Sequence, residues 1–222
     1  TIGTMVPRAA FSWITERVKA QVNIPVVATN RINDPQVGED IIQSGQADLV
    51  CMARPFLADP EFVNKAAAGK ADEINTCIAC NQACLDHVFQ NKRASCLVNP
   101  RACYETELNF NPAQVRKKIA VVGAGPAGMA FSVYAAQRGH SVTLFDKDAQ
   151  IGGQFNYAKQ VPGKEEFHQT IRYFERMLKL HAVDLQLGQL QSVEGLASAG
   201  FDEVVLATGM VPRHLDLPGA DH

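Results

Sequence analysis

The sequence predicts an α/β protein in which two strand-and-helix regions flank a cysteine-rich segment. Three observations lead there. Residues 24–70 alternate short apolar runs with capped helical stretches, residues 77–96 hold four of the six cysteines, and residues 118–146 read strand, glycine turn, helix, strand, acid. The composition agrees, since 222 residues with 46% hydrophobic and 20% charged side chains belong to the globular class and allow one or two domains with real cores. A formal charge of -2 and scattered Lys and Arg argue against a nucleic-acid partner. No apolar run approaches the roughly 18 to 20 residues that span a bilayer, and residues 1–13 lack the pattern of a signal peptide, so no membrane partner is expected.

In the first region, Phe11, Ile14, Val18 and Val22 fall near helical spacing, and IPVVAT at 24–29 is a buried-strand run. Asp34 followed by Pro35 reads as an N-cap with proline at the first helical position, and Gly45 closes that helix. ADLVCM is the next strand and ARPFLADP the next loop. Asp59 with Pro60 repeats the cap ahead of EFVNKAAAG. Two successive strand-and-helix units imply parallel strands covered by helices. They are too few to close a sheet, so a chain starting at TIGTMVP reads as the tail of a larger α/β domain, with a small complete three-layer domain as the alternative.

Residues 71–117 show little periodicity and read as a polar connector around the cysteines. Cys77, Cys80, Cys84 and Cys96 follow C-x2-C-x3-C-x11-C, and clustered thiols favour metal ligation in a reducing compartment. Structural zinc usually draws two ligands from each of two short knuckles. Here three come from one turn and the fourth from a distance, which suits a 4Fe-4S cluster; zinc, a 2Fe-2S centre and disulfides are the alternatives. Lys92, Arg93 and Arg101 are placed to offset a negative cluster or simply to face solvent. Cys51, inside an apolar strand, and Cys103, in the connector, read as inert thiols, and His87 is not needed to complete the quartet.

From Lys118 a new unit begins, with a helix expected from about Ala127 to Gln137 and a stop at Gly139. GAGPAG at 123–128 is weak as a bare motif and strong in its context, with IAVV before it, a helix after it and Asp146 twenty-three residues on. Gly123 permits the turn, Gly125 lets backbone approach a pyrophosphate, Gly128 allows close packing, and the helix N-terminus favours phosphate charge. Asp146 is placed to accept from ribose hydroxyls and would repel a 2'-phosphate, which points to FAD or NAD at this site. Beyond it, Gly152 and Gly153 form a compact loop in which Gln154 can offer an amide to the cofactor. Phe167, Ile171, Phe174 and Leu178 make the apolar stripe of a helix over 165–181. FDEVVLATGMVPR is a strand ending in a turn at Thr208 and Gly209, with Pro212 directing the exit.

NRINDP at 30–35, MARPFLADP at 52–60, NTCIACNQACLD at 75–86, SCLVNPRAC at 95–103, VVGAGPAG at 121–128, IGGQFN at 151–156 and ATGMVPR at 207–213 together carry a resemblance. On these residues the chain resembles the old-yellow-enzyme-like NADH:flavin oxidoreductases, and among them the NADPH-dependent 2,4-dienoyl-CoA reductases of fatty-acid β-oxidation. The resemblance implies a TIM barrel holding FMN, a 4Fe-4S cluster at its edge, and an FAD-binding domain enclosing an NADPH-binding one. Residues 1–70 would be the last part of the barrel, 71–117 the iron-sulfur segment and connector, and 118–222 the first half of the Rossmann-like FAD domain. Arg31, Ala53 and Arg54 would contact FMN, in keeping with phosphate sites after the last barrel strands; an Arg merely pairing with Asp34 or Asp59 is the alternative.

Cys77, Cys80, Cys84 and Cys96 match the family's cluster ligands. Gly123, Ala124, Gly125, Pro126, Ala127, Gly128, Asp146, Gly153 and Gln154 match its FAD contacts. The C-x3-C step is similar to the dienoyl-CoA reductases; trimethylamine dehydrogenase spaces that pair one residue closer. The implied enzyme is cytoplasmic and passes electrons from NADPH through FAD, cluster and FMN to a dienoyl-CoA. Enoate reductase, amine oxidation and a zinc-stapled dinucleotide-binding module are the other readings. The family's proton-donating tyrosine and histidine would lie before Thr1 and its NADPH domain after His222, so these 222 residues are expected to be inactive alone, and Tyr104, Tyr134, Tyr157 and Tyr173 are not substitutes.

Overall fold

The computed structural model describes residues 2–211, which leaves the expected role of Pro212 outside the described residues. Helix α1 (Ser12–Lys19) precedes strand β1 (Val27–Thr29), helix α2 (Pro35–Gln43), strand β2 (Leu49–Cys51), and helices α3 (Arg54–Ala58) and α4 (Phe62–Ala67). The two strands pair in parallel, with Ala28 opposite Val50, over a small core of Ala28, Ile32, Ile41 and Ala47. The expected cap of α2 is present. Asp34 accepts from the Gln36 N–H at 2.9 Å, and the helix closes with the Gln46 N–H on the Ile41 carbonyl and Gly45 at φ +76°.

Three expectations for this region need correction. The stripe on α1 is not buried: Ile14, Val18 and Val22 are 42%, 47% and 38% exposed, because nothing among the described residues covers that face. The stretch expected as a loop after β2 folds into α3, which proline at its N-terminus favours. Asp59 accepts from the Glu61 N–H as a cap would, but it is 4% exposed and also gathers the Asn75 N–H and the ammonium of Lys65, and α4 starts later than the cap implies, at Phe62. Asp59→Ala would strand two backbone donors and a cation, and urea unfolding is expected to show a loss of about 3 kcal/mol, from about 1–3 kcal/mol per unsatisfied buried group.

The connector is more structured than its composition suggests, with a 3-10 turn at Ala71–Glu73 and helix α5 (Leu85–Phe89). The second region then runs β3 (Lys118–Val122), α6 (Pro126–Gln137), β4 (Ser141–Phe145), α7 (Phe155–Ala158), α8 (Phe167–Leu180), β5 (Asp184–Gln186), α9 (Val193–Ser198) and β6 (Glu203–Leu206). Its sheet has the order β5-β4-β3-β6 with every pair parallel, which is the half-Rossmann arrangement. Ile119, Val121, Met129, Val133, Leu144, Phe174 and Leu178 form its core. Phe174 and Leu178 of the expected stripe are buried, Phe167 and Ile171 partly so, and Tyr173 and Met177 join them from the adjoining row.

Helix α8 also docks on the connector. Arg172 donates to the Ile74 carbonyl at 2.7 Å, and Arg176 meets Glu73 at 2.8 Å. The second region thereby grips the strand of chain that leads into Cys77.

Candidate functional site

Left-handed backbone at Ala79 (φ +51°) and Asn81 (φ +64°), on either side of Cys80, coils residues 77–84 so that three cysteines line one cavity. Cys96 reaches the same cavity because its arm is pinned: Asn75 donates to the Val98 carbonyl at 2.6 Å and Asn99 to the Leu57 carbonyl at 2.8 Å. Leu57, Ile78 and Val98 supply apolar walls. All six cysteines are free thiols. Burial pushes the thiols of Cys77, Cys80 and Cys96 upward, Cys96 to about 11. Nearby backbone N–H groups, of Ala79 for Cys77, Gln82 for Cys80, and Val98 and Asn99 for Cys96, pull the other way, as does the Arg54 cation for Cys77 and Cys80. Thiolates buried like this need a positive partner, and the Arg54 cation on the cavity wall favours their charged form.

A single zinc ion would require sulfurs about 3.8 Å apart, from tetrahedral bonds of about 2.3 Å. Among the described residues no group of three or more His, Cys, Asp or Glu side chains is already drawn together around a single ion position.

A second cavity opens at the carboxyl ends of β1 and β2. Thr29 to Asn33, Cys51 to Pro55, Cys77 and Ala79 line it, so Arg31, Ala53 and Arg54 all border one space. Arg31 is 5% exposed and is not paired with Asp34. Its Nε donates to the Val6 carbonyl at 2.7 Å and its Nη2 to Glu166 at 2.8 Å. Arg8 takes the expected place on Asp34 and adds two hydrogen bonds to Glu166, at 2.9 and 2.8 Å. Arg54 is not paired with Asp59 either; it donates to the Ile2 carbonyl at 2.9 Å and to Asn81. Asn33, 3% exposed, donates to the Cys77 carbonyl at 2.8 Å while its Oδ1 has no partner among the described residues.

The glycine turn closes as its spacing demands. Gly123 has φ +111°, and a Cβ there would lie 2.3 Å from the Ala207 carbonyl oxygen. A Cβ on Gly128 would lie 1.9 Å from the Gly123 carbonyl oxygen, so this glycine is needed by the turn itself. Above Gly125 there is open space, at the N-terminus of α6 where Pro126 and Ala127 begin the first turn. Asp146 accepts from the Ala124 N–H at 2.6 Å and from the Asp148 N–H at 2.9 Å, with a second lone pair left on each oxygen. The following loop sits on the turn: the Gly152 N–H donates to the Ala124 carbonyl, and Gly153 packs against Gly125. Gln154 spends its amide on the Met210 carbonyl at 2.9 Å.

Sequence reasoning missed several participants. Glu166, Arg8 and Asn33 carried no local signal, since each gains its partner from a distant segment. Cys51 ends its strand as expected but is exposed, and it lines the strand-end cavity. Lys92, Arg93 and Arg101 do not line the cysteine cavity: Arg93 lies over Tyr104 and pairs with Glu107, Arg101 lies over Phe110, and Lys92 meets Gln90. Arg54 is the cation there.

This combination defines a class. Residues 1–73 match the NADH:flavin oxidoreductase / NADH oxidase family, and residues 117–222 match pyridine nucleotide-disulphide oxidoreductase. The first part of the chain is thus similar to one oxidoreductase family and the last part to another. Particular relatives follow. A metal reductase from Desulforamulus reducens is 43% identical, over 96% of this chain and 32% of its own length. A cinnamate reductase from Clostridium sporogenes is 36% identical, over 93% and 31%. The structure of 2-naphthoyl-CoA reductase in complex with 2-naphthoyl-CoA superposes with a TM-score of 0.93 at 33% identity, over 99% of this chain and 34% of that one. The chain spans about a third of the length of the curated relatives it matches. Among the described residues no helix is long and apolar enough to cross a membrane.

Proposed function

We propose that the whole protein is an NADPH-dependent flavin and iron-sulfur oxidoreductase that reduces conjugated acyl-CoA thioesters, 2,4-dienoyl-CoA foremost, in fatty-acid β-oxidation in the cytoplasm. FMN would occupy the strand-end cavity, a 4Fe-4S cluster the four-cysteine cavity, and FAD the glycine turn. One observation carries the reading: Cys77 and Arg54 line both cavities, so a cluster ligand and a flavin site would share a wall. The likeness to a 2-naphthoyl-CoA reductase and a cinnamate reductase supports a conjugated acyl substrate.

The residues fit these groups. Four thiols that line one cavity, three of them from a single turn and the fourth from a distant arm, suit a cluster. Arg31 and Arg54 suit an anionic group in the strand-end cavity, and the unpartnered Oδ1 of Asn33 suits an N–H or O–H donor on the same ligand. Open space above Gly125, at a helix N-terminus, suits a pyrophosphate. When bound, flavins exchange hydride equivalents with nicotinamide and substrate, and a cluster relays single electrons between them. The chain's own part is to hold these groups apart at fixed positions, to keep water off the sulfurs with Leu57, Ile78 and Val98, and to hold the ribose end through Asp146.

The test is made on the full-length protein purified without oxygen. Iron, sulfide and both flavins are expected, with turnover of a 2,4-dienoyl-CoA by NADPH. Cys84→Ser is expected to lose most of the iron while keeping FAD. A colourless protein with one zinc per chain would sink the reading, and turnover confined to a secondary amine would move it to the amine dehydrogenases.

A further inference from the structure

Arg54 stands where the two cavities meet, and its bonds tie it to the cysteine side. It opens α3 directly after β2, donates to the Ile2 carbonyl at 2.9 Å, and donates to Asn81, which lies between Cys80 and Cys84. The other cations near the cysteines in sequence are engaged elsewhere, Arg93 with Glu107 and Tyr104, and Arg101 with Phe110. Arg54 is therefore the cation that borders the cysteine cavity, and it borders the strand-end cavity too.

We propose that Arg54 is a shared charge for the two cavities: its guanidinium raises the reduction potential of a cluster on the four cysteines, and a flavin phosphate in the strand-end cavity lowers that potential by offsetting the same charge. The inference rests on the cofactor reading above. Reduction adds one negative charge to a cluster, and a cation beside two of its ligands stabilises that added charge in a partly dry site. An anion drawn to the same cation weakens the effect. Linkage makes the relation reciprocal, so a reduced cluster loosens the phosphate by the same factor. Arg54 acts through the cluster and the phosphate and is a positioning residue, with no contact to substrate required.

The experiment compares full-length protein carrying FMN with the same protein stripped and refilled with riboflavin, which lacks only the phosphate. Cluster potential is read by EPR during an anaerobic dithionite titration. The riboflavin form is expected to hold its electron about tenfold more favourably, a shift of about 59 mV upward for a one-electron couple. In Arg54→Gln the potential of the riboflavin form should fall by a similar amount and the difference between flavins should shrink, whereas Arg54→Lys should keep most of both. Equal potentials for the two flavin forms of the unsubstituted protein overturn the proposal, and this comparison decides even if Arg54→Gln fails to assemble. Absence of iron and sulfide from the unsubstituted protein overturns the cofactor reading and this inference with it. Iron present with no dependence on the phosphate overturns the inference alone.

Discussion

Gly128→Ala is expected to leave the second region unable to close its glycine turn, while Gly125→Ala leaves the fold intact and weakens the dinucleotide. The two glycines lie three residues apart on the same helix start, yet they face different things. A methyl on Gly128 meets the Gly123 carbonyl oxygen at 1.9 Å and the Ala207 methyl at 3.3 Å, so backbone must move. Overpacking of this kind destabilises by about 1–3 kcal/mol or more, and the displaced turn also carries the Ala124 N–H that Asp146 holds. A lower melting temperature and loss of bound FAD after desalting should appear together. A methyl on Gly125 meets nothing within 4 Å in the protein. Its melting temperature should match that of the unsubstituted apoprotein, and its affinity for FAD should fall at least about tenfold, or about 1.4 kcal/mol. Unchanged FAD affinity in Gly125→Ala would mean that no ligand approaches this backbone.

Glu166→Ala is expected to destabilise the protein by about 3–5 kcal/mol, the range for removing one partner of a buried ion pair. Glu166 is 7% exposed and receives Arg8 and Arg31, so its loss leaves the 5% exposed Arg31 guanidinium without an anion. Burial pushes the Glu166 carboxyl up, and the hydrogen bonds and charges of Arg8 and Arg31 more than reverse this, holding it below its usual 4.5. A carboxyl lowered in the folded state contributes stability that is fully present above its unfolded value and is lost as pH falls through its folded value. Urea midpoints of the unsubstituted protein should therefore drop below about pH 4.5, and Glu166→Gln should remove that part of the acid slope while lowering the midpoint at pH 7. Equal midpoints at pH 7 would show that the two regions do not depend on this network.

Much of the fold was legible because its signals are local. The Asp34-Pro35 cap, the Gly45 stop, the turn at 123–128 and the strand runs at 118–122 and 141–145 each state their conformation within a few residues, and each forms as expected. Asp59-Pro60 carries the same local signal as Asp34-Pro35 and behaves differently. A buried carboxylate takes whichever donors the tertiary structure offers, and the second oxygen of Asp59 adds Asn75 and Lys65 to the local bond from Glu61. The α1 stripe had the right spacing for burial, and burial depends on a surface that these residues do not supply.

The sequence by itself determined the local features of this protein: which thiols stand close along the chain, where a tight glycine turn opens into a helix, and which periodicities make strands. Such properties depend on neighbours within a turn or two, where the chain's own geometry limits the choices. Tertiary structure alone decided which cation each site would feel. Arg54 was drawn to the wall of the cysteine cavity, Arg31 turned to Glu166, and the nearer basic residues of the connector turned to aromatic rings. Long charged side chains can reach many partners, and only the folded chain, by burying some of those partners and excluding water from others, makes one pairing the most favourable.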